Sequence, residues 1–415
     1  MCLRRYFIWL LLFAGTVHGF ATVHYVDVNG TNPVSPYTSW ATAATNIQLA
    51  ANVSAPGDLV LVTNGVYQTG GNALTARLVI TPPITVQSVN GAGVTVINGA
   101  GVMRCVTLSS GVKLLGFTLA NGAAGTHSGG GAYCLAPDAF AANCILSNNS
   151  ATTGGGAQSG TFSNCTFIGN IATNFGGGTY GATSYQCSFV SNYAGSYGGG
   201  AFQGTLMGST LTGNSVGATG TGGGAYSSAL ANCMVMNNYA AHGGGVASSS
   251  ATNCLFTGNG SAGSTDGGAA YLGTLINCTV AGNYSKTLGA VEAAALINCI
   301  SYYNSNNGYA DCYQCKLTNC CTTLGTGNVS LPNGSISNAP AFVDLAHGNY
   351  RLQIGSPAID AGNNFVTAGA SDLDGNPRIV DGAVDLGAYE NQNTNPVHYV
   401  SVSNAAPVSP CTNWL

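Results

Sequence analysis

The chain has 415 residues, enough for two ordinary globular domains or for one elongated repeat domain. Glycine contributes 61 residues, 45% of residues are hydrophobic and only 5% are charged, which excludes intrinsic disorder because disorder requires low hydrophobicity and high charge. A formal net charge of −4 offers no basic surface for nucleic acid, and glycine does not recur at every third position as collagen requires.

The N-terminus is typical of a secretory signal peptide over residues 1–21. Arg4 and Arg5 precede an apolar run from residue 6 to residue 14, and Gly19 or Ala21 supplies a small residue for cleavage. After the signal peptide no apolar run reaches the ~18 residues that a membrane helix requires. The sequence therefore predicts an exported protein without a transmembrane helix, located outside the cell or at its surface in association with an outer membrane.

Residues 22–104 are predicted to form an N-terminal cap and the first coils of a repeat domain. An amphipathic helix is expected over residues 40–52, followed by a Pro-Gly-Asp turn. After this turn a strand is predicted from residue 59, in a segment that ends at residues 65–67, and further strands are predicted at residues 84–86 and 94–97. Because the end of a solenoid exposes its core, the short helix is expected to cover the first coil.

Residues 105–325 repeat with a period of about 21 to 25 residues in three columns. Glycine clusters begin at Gly129, Gly154, Gly176, Gly198, Gly222, Gly243 and Gly267. A cysteine column runs through Cys144, Cys165, Cys187, Cys233, Cys254, Cys278 and Cys299, with Ser209 filling its one gap. An asparagine column follows five residues later at Asn149, Asn170, Asn192, Asn214, Asn238, Asn259 and Asn283.

Each repeat contains a short strand with one buried face. The cysteine and an apolar residue two positions later point to the same side of that strand. Units of this length are too short for a propeller blade and lack the helix of a leucine-rich repeat. The sequence therefore predicts an all-β fold, a right-handed single-stranded parallel β-helix with a short N-terminal capping helix. In this fold the cysteines fill a small apolar slot. The asparagines, which tolerate the left-handed backbone conformation, are expected to form tight corners and to bond to one another along the axis.

After the repeats the pattern loosens. Residues 326–390 are predicted to form the last coils and a C-terminal closure. Cys312, Cys315, Cys320 and Cys321 could be zinc ligands, but in an exported chain disulfides are expected instead. Residues 398–415 repeat residues 24–41 with ten identities. Residues 391–415 are therefore predicted to be a poorly ordered linker and the truncated start of a second tandem unit.

Three motifs resemble known families. The Gly-Gly-Ala clusters and the Phe-x-x-Asn tetrapeptides, such as residues 167–170, resemble the repeats of chlamydial polymorphic outer-membrane proteins. The segment from Trp40 through Pro-Gly-Asp to Tyr67 looks like the opening of pectate-lyase-like right-handed β-helix proteins. Ser-Pro-Ala-Ile-Asp-Ala-Gly, from Ser356, and Asp-Leu-Gly-Ala-Tyr-Glu, from Asp385, are similar to the endings of secreted bacterial β-helix proteins. The resemblance implies secreted or surface-exposed proteins, some adhesive and some acting on polysaccharides.

Few side chains on the repeats could catalyse a reaction. Glycoside hydrolysis needs two nearby carboxylates, and Asp266 and Glu292, with Lys286 beside them, are the only candidate group. The alternative is that both acids are solvated loop residues. Asp372 and Asp374 in the run Asp-Leu-Asp-Gly-Asn are candidate calcium ligands, although Arg378 suggests an internal ion-pair network. No other cofactor is predicted.

A binding surface is easier to identify in the sequence. Two residues after each glycine triplet, an outward-facing stripe of aromatic rings is predicted at Tyr133, Tyr180, Phe202, Tyr226 and Tyr271. Such rings could bind sugars or a partner protein, or could only stack on one another and stabilise the coil exterior. The leading hypothesis is a non-catalytic, secreted or surface-displayed adhesin that binds a polysaccharide, a surface glycan or a cell-surface protein. The alternatives are a polysaccharide lyase or glycoside hydrolase acting on pectin-like polymers, and a structural spacer in a tandem surface array.

Overall fold

The computed structural model of the chain describes residues 21–71, 75–263, 267–305, 308–325, 331–366 and 369–393. The predicted signal peptide, apart from Ala21, and most of the predicted second unit lie outside these residues. Short strands stack in parallel from one repeat to the next and form sheets of 22, 12 and 7 strands, here called sheets 1, 2 and 3. Sheet 2 contributes one strand per coil, so the described part of the chain contains twelve coils. The predicted all-β parallel solenoid is confirmed.

Sheet 1 consists of two rows of strands. The row that follows the glycine triplets contains Ala76–Ile80, Arg104–Leu108, Ala132–Cys134, Ala157–Gln158, Thr179–Tyr180, Ala201–Phe202, Ala225–Tyr226, Val291–Glu292 and Cys312–Tyr313. The second row contains Val23–Val26, Leu59–Val62, Thr85–Ser88, Lys113–Leu115, Phe140–Ala142, Thr161–Ser163, Thr183–Tyr185, Thr205–Met207, Ala229–Ala231, Ala295–Ile297 and Lys316–Thr318. Two longer strands, Val246–Thr252 and Ala270–Ile276, belong to both rows and join them into one sheet.

Sheets 2 and 3 complete each coil. Sheet 2 contains Gly65–Tyr67, Thr95–Asn98, Thr118–Ala120, Ile145–Ser147, Thr166–Ile168, Ser188–Val190, Thr210–Thr212, Met234–Met236, Leu255–Thr257, Thr279–Val280, Ile300–Ser301 and Cys321–Thr322. Sheet 3 contains Ser150–Thr153, Ile171–Phe175, Tyr193–Ala194, Ser215–Val216, Tyr239–Ala240, Gly260–Ser261 and Tyr284–Ser285.

The column asparagines form a buried hydrogen-bonded file between sheets 2 and 3. In Asn214, Nδ2 donates to Oδ1 of Asn238 (2.9 Å) in the next coil, and Oδ1 accepts from Nδ2 of Asn192 (2.9 Å) in the previous coil. The same amide-to-amide bond joins each consecutive pair from Asn149 to Asn304. These asparagines do not adopt the left-handed conformation themselves, contrary to our expectation for the corner. The residue before each of them does, as at Ser191 (φ 53°) and Asn237 (φ 54°).

The column cysteines form a second buried file, between sheets 1 and 2. Backbone N–H groups donate along it, from Cys144 to Sγ of Cys165 (3.4 Å) and from Cys187 to Oγ of Ser209 (3.1 Å). The hydroxyl of Ser209 thus occupies the place of a thiol. All of these cysteines are free thiols. Stacked phenylalanines fill the neighbouring core. The ring centres of Phe167 and Phe189 are 4.8 Å apart, and their ring planes are nearly parallel (4°).

The glycine triplets allow coils to approach one another closely. The first glycine of each triplet has positive φ, for example 65° at Gly198. The middle glycine has no room for a side chain, because a Cβ atom at Gly199 would lie 2.3 Å from the carbonyl oxygen of Ser215. These two positions therefore exclude other residues for different reasons, one for backbone conformation and one for space.

The N-terminal helix is shorter than predicted. A 3₁₀ turn at Trp40–Thr42 precedes the helix Ile47–Val53, whose N-cap Asn46 accepts a hydrogen bond from the backbone N–H of Leu49 (3.0 Å). The helix buries Ile47 with two alanines against the first coils. Asn46 explains the late start, because its side chain satisfies an N–H group that has no partner within the helix.

The C-terminal segment does not continue the stack of coils. After Ile336, which bridges to Cys321, the chain turns back and covers the outer face of sheet 2. It contains the antiparallel hairpin of Phe342–Asp344 and Asn349–Leu352, and the 3₁₀ turns Leu345–His347 and Asn364–Val366. Where it lies, sheet 2 presents Leu255, Ala281 and Ile300, all buried beneath it. The segment is thus a layer on the solenoid wall, where a set of last coils was expected.

Candidate functional site

The predicted catalytic group does not assemble into a described site. Glu292 lies on the sheet 1 strand Val291–Glu292 and is only 5% exposed, so it is not the solvated loop acid of the alternative hypothesis. Lys286 is exposed, two residues beyond the sheet 3 strand Tyr284–Ser285. Asp266 lies outside the described residues. A catalytic role for these three residues stays a prediction.

The other repeat-region acids serve the backbone and neighbouring hydroxyls. Asp138 accepts hydrogen bonds from Oγ of Ser110 (2.7 Å) and the N–H of Gly111 (3.1 Å). Burial raises the pKa of Asp311 to about 6, and its carboxylate accepts bonds from the N–H of Asn304 and the hydroxyl of Thr323. Both acids thus stabilise loops of the solenoid wall.

Asp372 and Asp374 lie in the C-terminal segment and are already engaged. Asp372 accepts bonds from the N–H groups of Asp374, Asn376 and Glu390, and Asp374 pairs with the guanidinium of Arg351 (2.5 Å). Among the residues that the structure describes, no three His, Cys, Asp or Glu side chains converge as metal ligands. Calcium binding at Asp372 and Asp374 remains a prediction.

The predicted ion-pair network around Arg378 takes another form. Arg378 is only 1% exposed, and its Nη2 donates to the carbonyl oxygens of Asp385 and Gly387. The neighbouring carboxylates bind backbone instead, as when Glu390 accepts from the N–H groups of Val380 and Asp385. Burial, followed by the charge of Asp385, raises the pKa of Glu390 to about 8. Burial raises the pKa of Asp385 to about 6.

The expected disulfides among the last cysteines are not present. Cys312, Cys315, Cys320 and Cys321 are free thiols. Cys320 and Cys321 are adjacent in an extended backbone, so their side chains point to opposite sides. Cys320 continues the cysteine file, whereas Cys321 packs beneath the C-terminal segment. Disulfide geometry requires converging Cβ atoms, which this arrangement does not provide.

The predicted aromatic stripe lies on the outside of sheet 1. The neighbouring inward series, from Ala132 to Val291, is buried at 1% exposure or less. The ring of Phe202 stacks between those of Tyr180 (5.1 Å, 21°) and Tyr226 (5.6 Å, 9°). Phe175, at the end of a sheet 3 strand, stacks on Phe202, and Tyr197, just before a glycine triplet, makes a tilted contact with Tyr226.

The two ends of the stripe make different contacts. The guanidinium of Arg104 lies 4.9 Å from the ring centre of Tyr133, and the ring of His242 lies 5.7 Å from that of Tyr271. In the central stack, Phe202 is only 8% exposed because its faces are covered by neighbouring rings. The stack therefore presents mainly ring edges and hydroxyls to solvent. Ligand binding by these five residues stays a prediction.

A second row of tyrosines, on sheet 3, was missed by the sequence reasoning. Tyr193, Tyr239 and Tyr284 are 39%, 50% and 47% exposed. They belong to one register file, in which small residues occupy the coils between them: Tyr193, Ser215, Tyr239, Gly260, Tyr284. The signal was present in the sequence, because each tyrosine directly follows a column asparagine. We name Tyr193, Tyr239 and Tyr284 the tyrosine row.

A shallow cleft of about 390 Å³ opens on sheet 1 where its two strand rows merge. It is lined by Ser227, Ser228, Ala229, Ser248, Ser249, Ser250, Gly273 and Thr274. None of these side chains is ionisable, so the cleft offers hydroxyl groups without an acid, a base or a charge.

Within the described ranges, no helix is both long and apolar enough to cross a membrane. No protein-family model matches the chain, and no curated protein matches it.

Several solved structures resemble the chain at low identity. The pectate lyase Pel9A has a TM-score of 0.47 at 14% identity, over 89% of this chain and 96% of that one. A rhamnogalacturonan lyase has a TM-score of 0.37 at 11% identity, over 80% and 95% of the two chains. An alginate lyase from Paenibacillus sp. has a TM-score of 0.33 at 12% identity, over 65% and 96%. At these values the likeness does not establish what the chain binds or whether it is an enzyme.

Proposed function

We propose that the chain is a non-catalytic β-solenoid, secreted or displayed on a cell surface, that binds a polysaccharide or surface glycan along its outer wall. The observation that carries this proposal is the combination of exposed tyrosines with an uncharged wall. No Asp, Glu, Lys or Arg occurs between Asp138 and Asp266. Such a surface suits a polymer of hydroxyl-bearing rings, since tyrosine supplies both an apolar face and a hydrogen-bonding group.

The places of the repeat-region acids support a non-catalytic role. A glycosidase needs one carboxyl group to protonate the leaving oxygen and a second within ~10 Å of it. Glu292 is buried, Asp138 accepts hydrogen bonds from a loop, and Asp311 accepts them inside a coil. We therefore assign the outer wall to binding. The signal peptide predicted for residues 1–21 supports a location where glycans are accessible.

Binding and catalysis can be tested together on the full mature chain. Incubation with a panel of neutral and anionic polysaccharides should give retention in affinity electrophoresis without release of new reducing or unsaturated ends. Release of such ends, abolished by Glu292→Ala, would establish the enzyme hypothesis and overturn ours. Retention by no polysaccharide would also overturn it and would favour the structural spacer. Unchanged retention in a Tyr180→Ala/Tyr226→Ala variant would remove the sheet 1 stripe from the binding surface.

A further inference from the structure

The tyrosine row has a regular spacing along the solenoid axis. Its members alternate with Ser215 and Gly260, so one ring occurs on every second coil. Parallel strands are ~4.8 Å apart, which places successive rings about 10 Å apart and the outer two about 19 Å apart. This spacing is close to the two-sugar repeat of an extended polysaccharide.

The rings of the row lie along the wall instead of stacking on one another. A Cβ atom at Gly260 would lie 3.2 Å from Cδ2 and 3.5 Å from Cε2 of Tyr239, so this ring covers the glycine of the next coil. The hydroxyl of Tyr193 likewise lies 3.4 Å from the Cβ position of Gly217. The three tyrosines are 39–50% exposed, so part of each ring is accessible to a ligand. Phe202, in the middle of the sheet 1 stack, is only 8% exposed.

Small and polar residues lie on the N-terminal side of the row, and among the described residues they leave that side low for a ligand that lies along it. The column asparagines from Asn192 to Asn283 are preceded by Ser191, Gly213, Asn237, Gly258 and Gly282. Ser191 and Asn237 are exposed and can exchange hydrogen bonds with sugar hydroxyls. The nearest charged residue in sequence is Lys286, two positions beyond Tyr284 at one end. The flank thus favours a neutral ligand.

We infer that the tyrosine row is the glycan-binding site and that it binds one extended, uncharged, equatorially linked polysaccharide chain parallel to the solenoid axis. This inference rests on the proposed function and adds the face, the direction and the ligand class. Every second sugar ring packs on a tyrosine ring, and the intervening sugars bridge the gaps between successive tyrosine rings. The sugars of a helical glycan would not match the two-coil spacing of the tyrosine rings. An acidic glycan would have no row of cations to pair with.

The test is isothermal titration calorimetry of the full mature chain with three hexasaccharides: cellohexaose, maltohexaose and hexagalacturonate. Cellohexaose is extended and neutral, and we expect it to bind more tightly than the other two. Tyr193→Ala/Tyr239→Ala should weaken its binding by about tenfold per ring, as expected for loss of an aromatic contact. Tyr193→Phe/Tyr239→Phe keeps both ring faces and should bind within about twofold of the original chain.

Two further variants separate the row from general effects. Tyr185→Ala is a matched control, because Tyr185 is equally exposed (40%) but lies on sheet 1; its binding should be unchanged. Ser215→Tyr/Tyr239→Ser keeps the number of rings but moves one ring to the adjacent coil, and should weaken binding as much as the double alanine variant. Circular dichroism melting of every variant shows that the fold is kept.

Each outcome has a distinct meaning. Cellohexaose binding that is unaffected by the row variants would overturn the inference and leave the proposed function standing. Preference for maltohexaose or hexagalacturonate would overturn the ligand class. Polysaccharide retention without any hexasaccharide binding would also reject the row as the site. If the chain binds no glycan of any kind, the proposed function fails as well.

Discussion

The asparagine file makes a quantitative prediction for Asn214→Ala. Asn214 is completely buried. Its Nδ2 donates to the carbonyl of Phe189 (2.9 Å) and to Oδ1 of Asn238 (2.9 Å). Its Oδ1 accepts from the N–H (3.0 Å) and Nδ2 (2.9 Å) of Asn192. The substitution removes all four hydrogen bonds and leaves the buried N–H of Asn192 without its acceptor.

A buried group left without a partner costs about 1–3 kcal/mol. Two donors of Asn192, its N–H and one Nδ2 hydrogen, lose their acceptor, so we expect Asn214→Ala to destabilise the fold by about 2–6 kcal/mol. In a solenoid each coil contacts mainly its neighbours, so the damage should be local. Urea unfolding followed by far-UV circular dichroism gives the total loss. Hydrogen exchange of the full chain shows which coils are destabilised, and we expect faster exchange in the coils of Asn192 and Asn238.

The matched control is Asn237→Gly, at an exposed corner beside the file. Asn237 has positive φ (54°), which glycine adopts freely, so this variant should differ little from the original chain. A loss below about 1 kcal/mol for Asn214→Ala, with exchange unchanged in the neighbouring coils, would refute the idea that the amide file holds the coils together.

Two more predictions follow from close packing and from buried acids. Gly199→Ala should prevent stable stacking of its coil, because the new Cβ would lie 2.3 Å from the carbonyl oxygen of Ser215. The control is Gly93→Ala, where no atom lies within 4 Å of the new Cβ, so its melting temperature should equal that of the original chain while that of Gly199→Ala falls. The C-terminal segment should detach more easily as pH rises from about 4.5 towards 8. Glu390 and Asp385 have pKa values raised to about 8 and about 6, so the folded segment keeps protons that the unfolded chain releases, and each pKa unit is worth about 1.4 kcal/mol. Limited proteolysis at pH 5 and pH 8 measures this, and Glu390→Gln should flatten the dependence. Equal protection from proteolysis at both pH values would contradict the idea that protonation of Glu390 and Asp385 stabilises the folded segment.

The solenoid could be predicted from the amino-acid sequence alone. The glycine, cysteine and asparagine columns share one period, and only stacked coils give each column a constant environment. Asn214 recurs at the same place as Asn192 and Asn238 because each amide must bond to the next. A pattern of this kind is visible without coordinates because the interaction repeats with the sequence.

Features that do not repeat along the chain could not be predicted in this way. The cysteine and asparagine columns do not show that the C-terminal segment returns to cover Leu255 and Ile300, because those contacts join distant parts of the chain once. The exposure of each ring is likewise set by its neighbours: Phe202 is buried between stacked rings, whereas Tyr239, beside Gly260, is half exposed. The burial of Glu292 is also a property of its surroundings. The period therefore fixes the scaffold, and contacts between coils decide which side chains can bind a ligand.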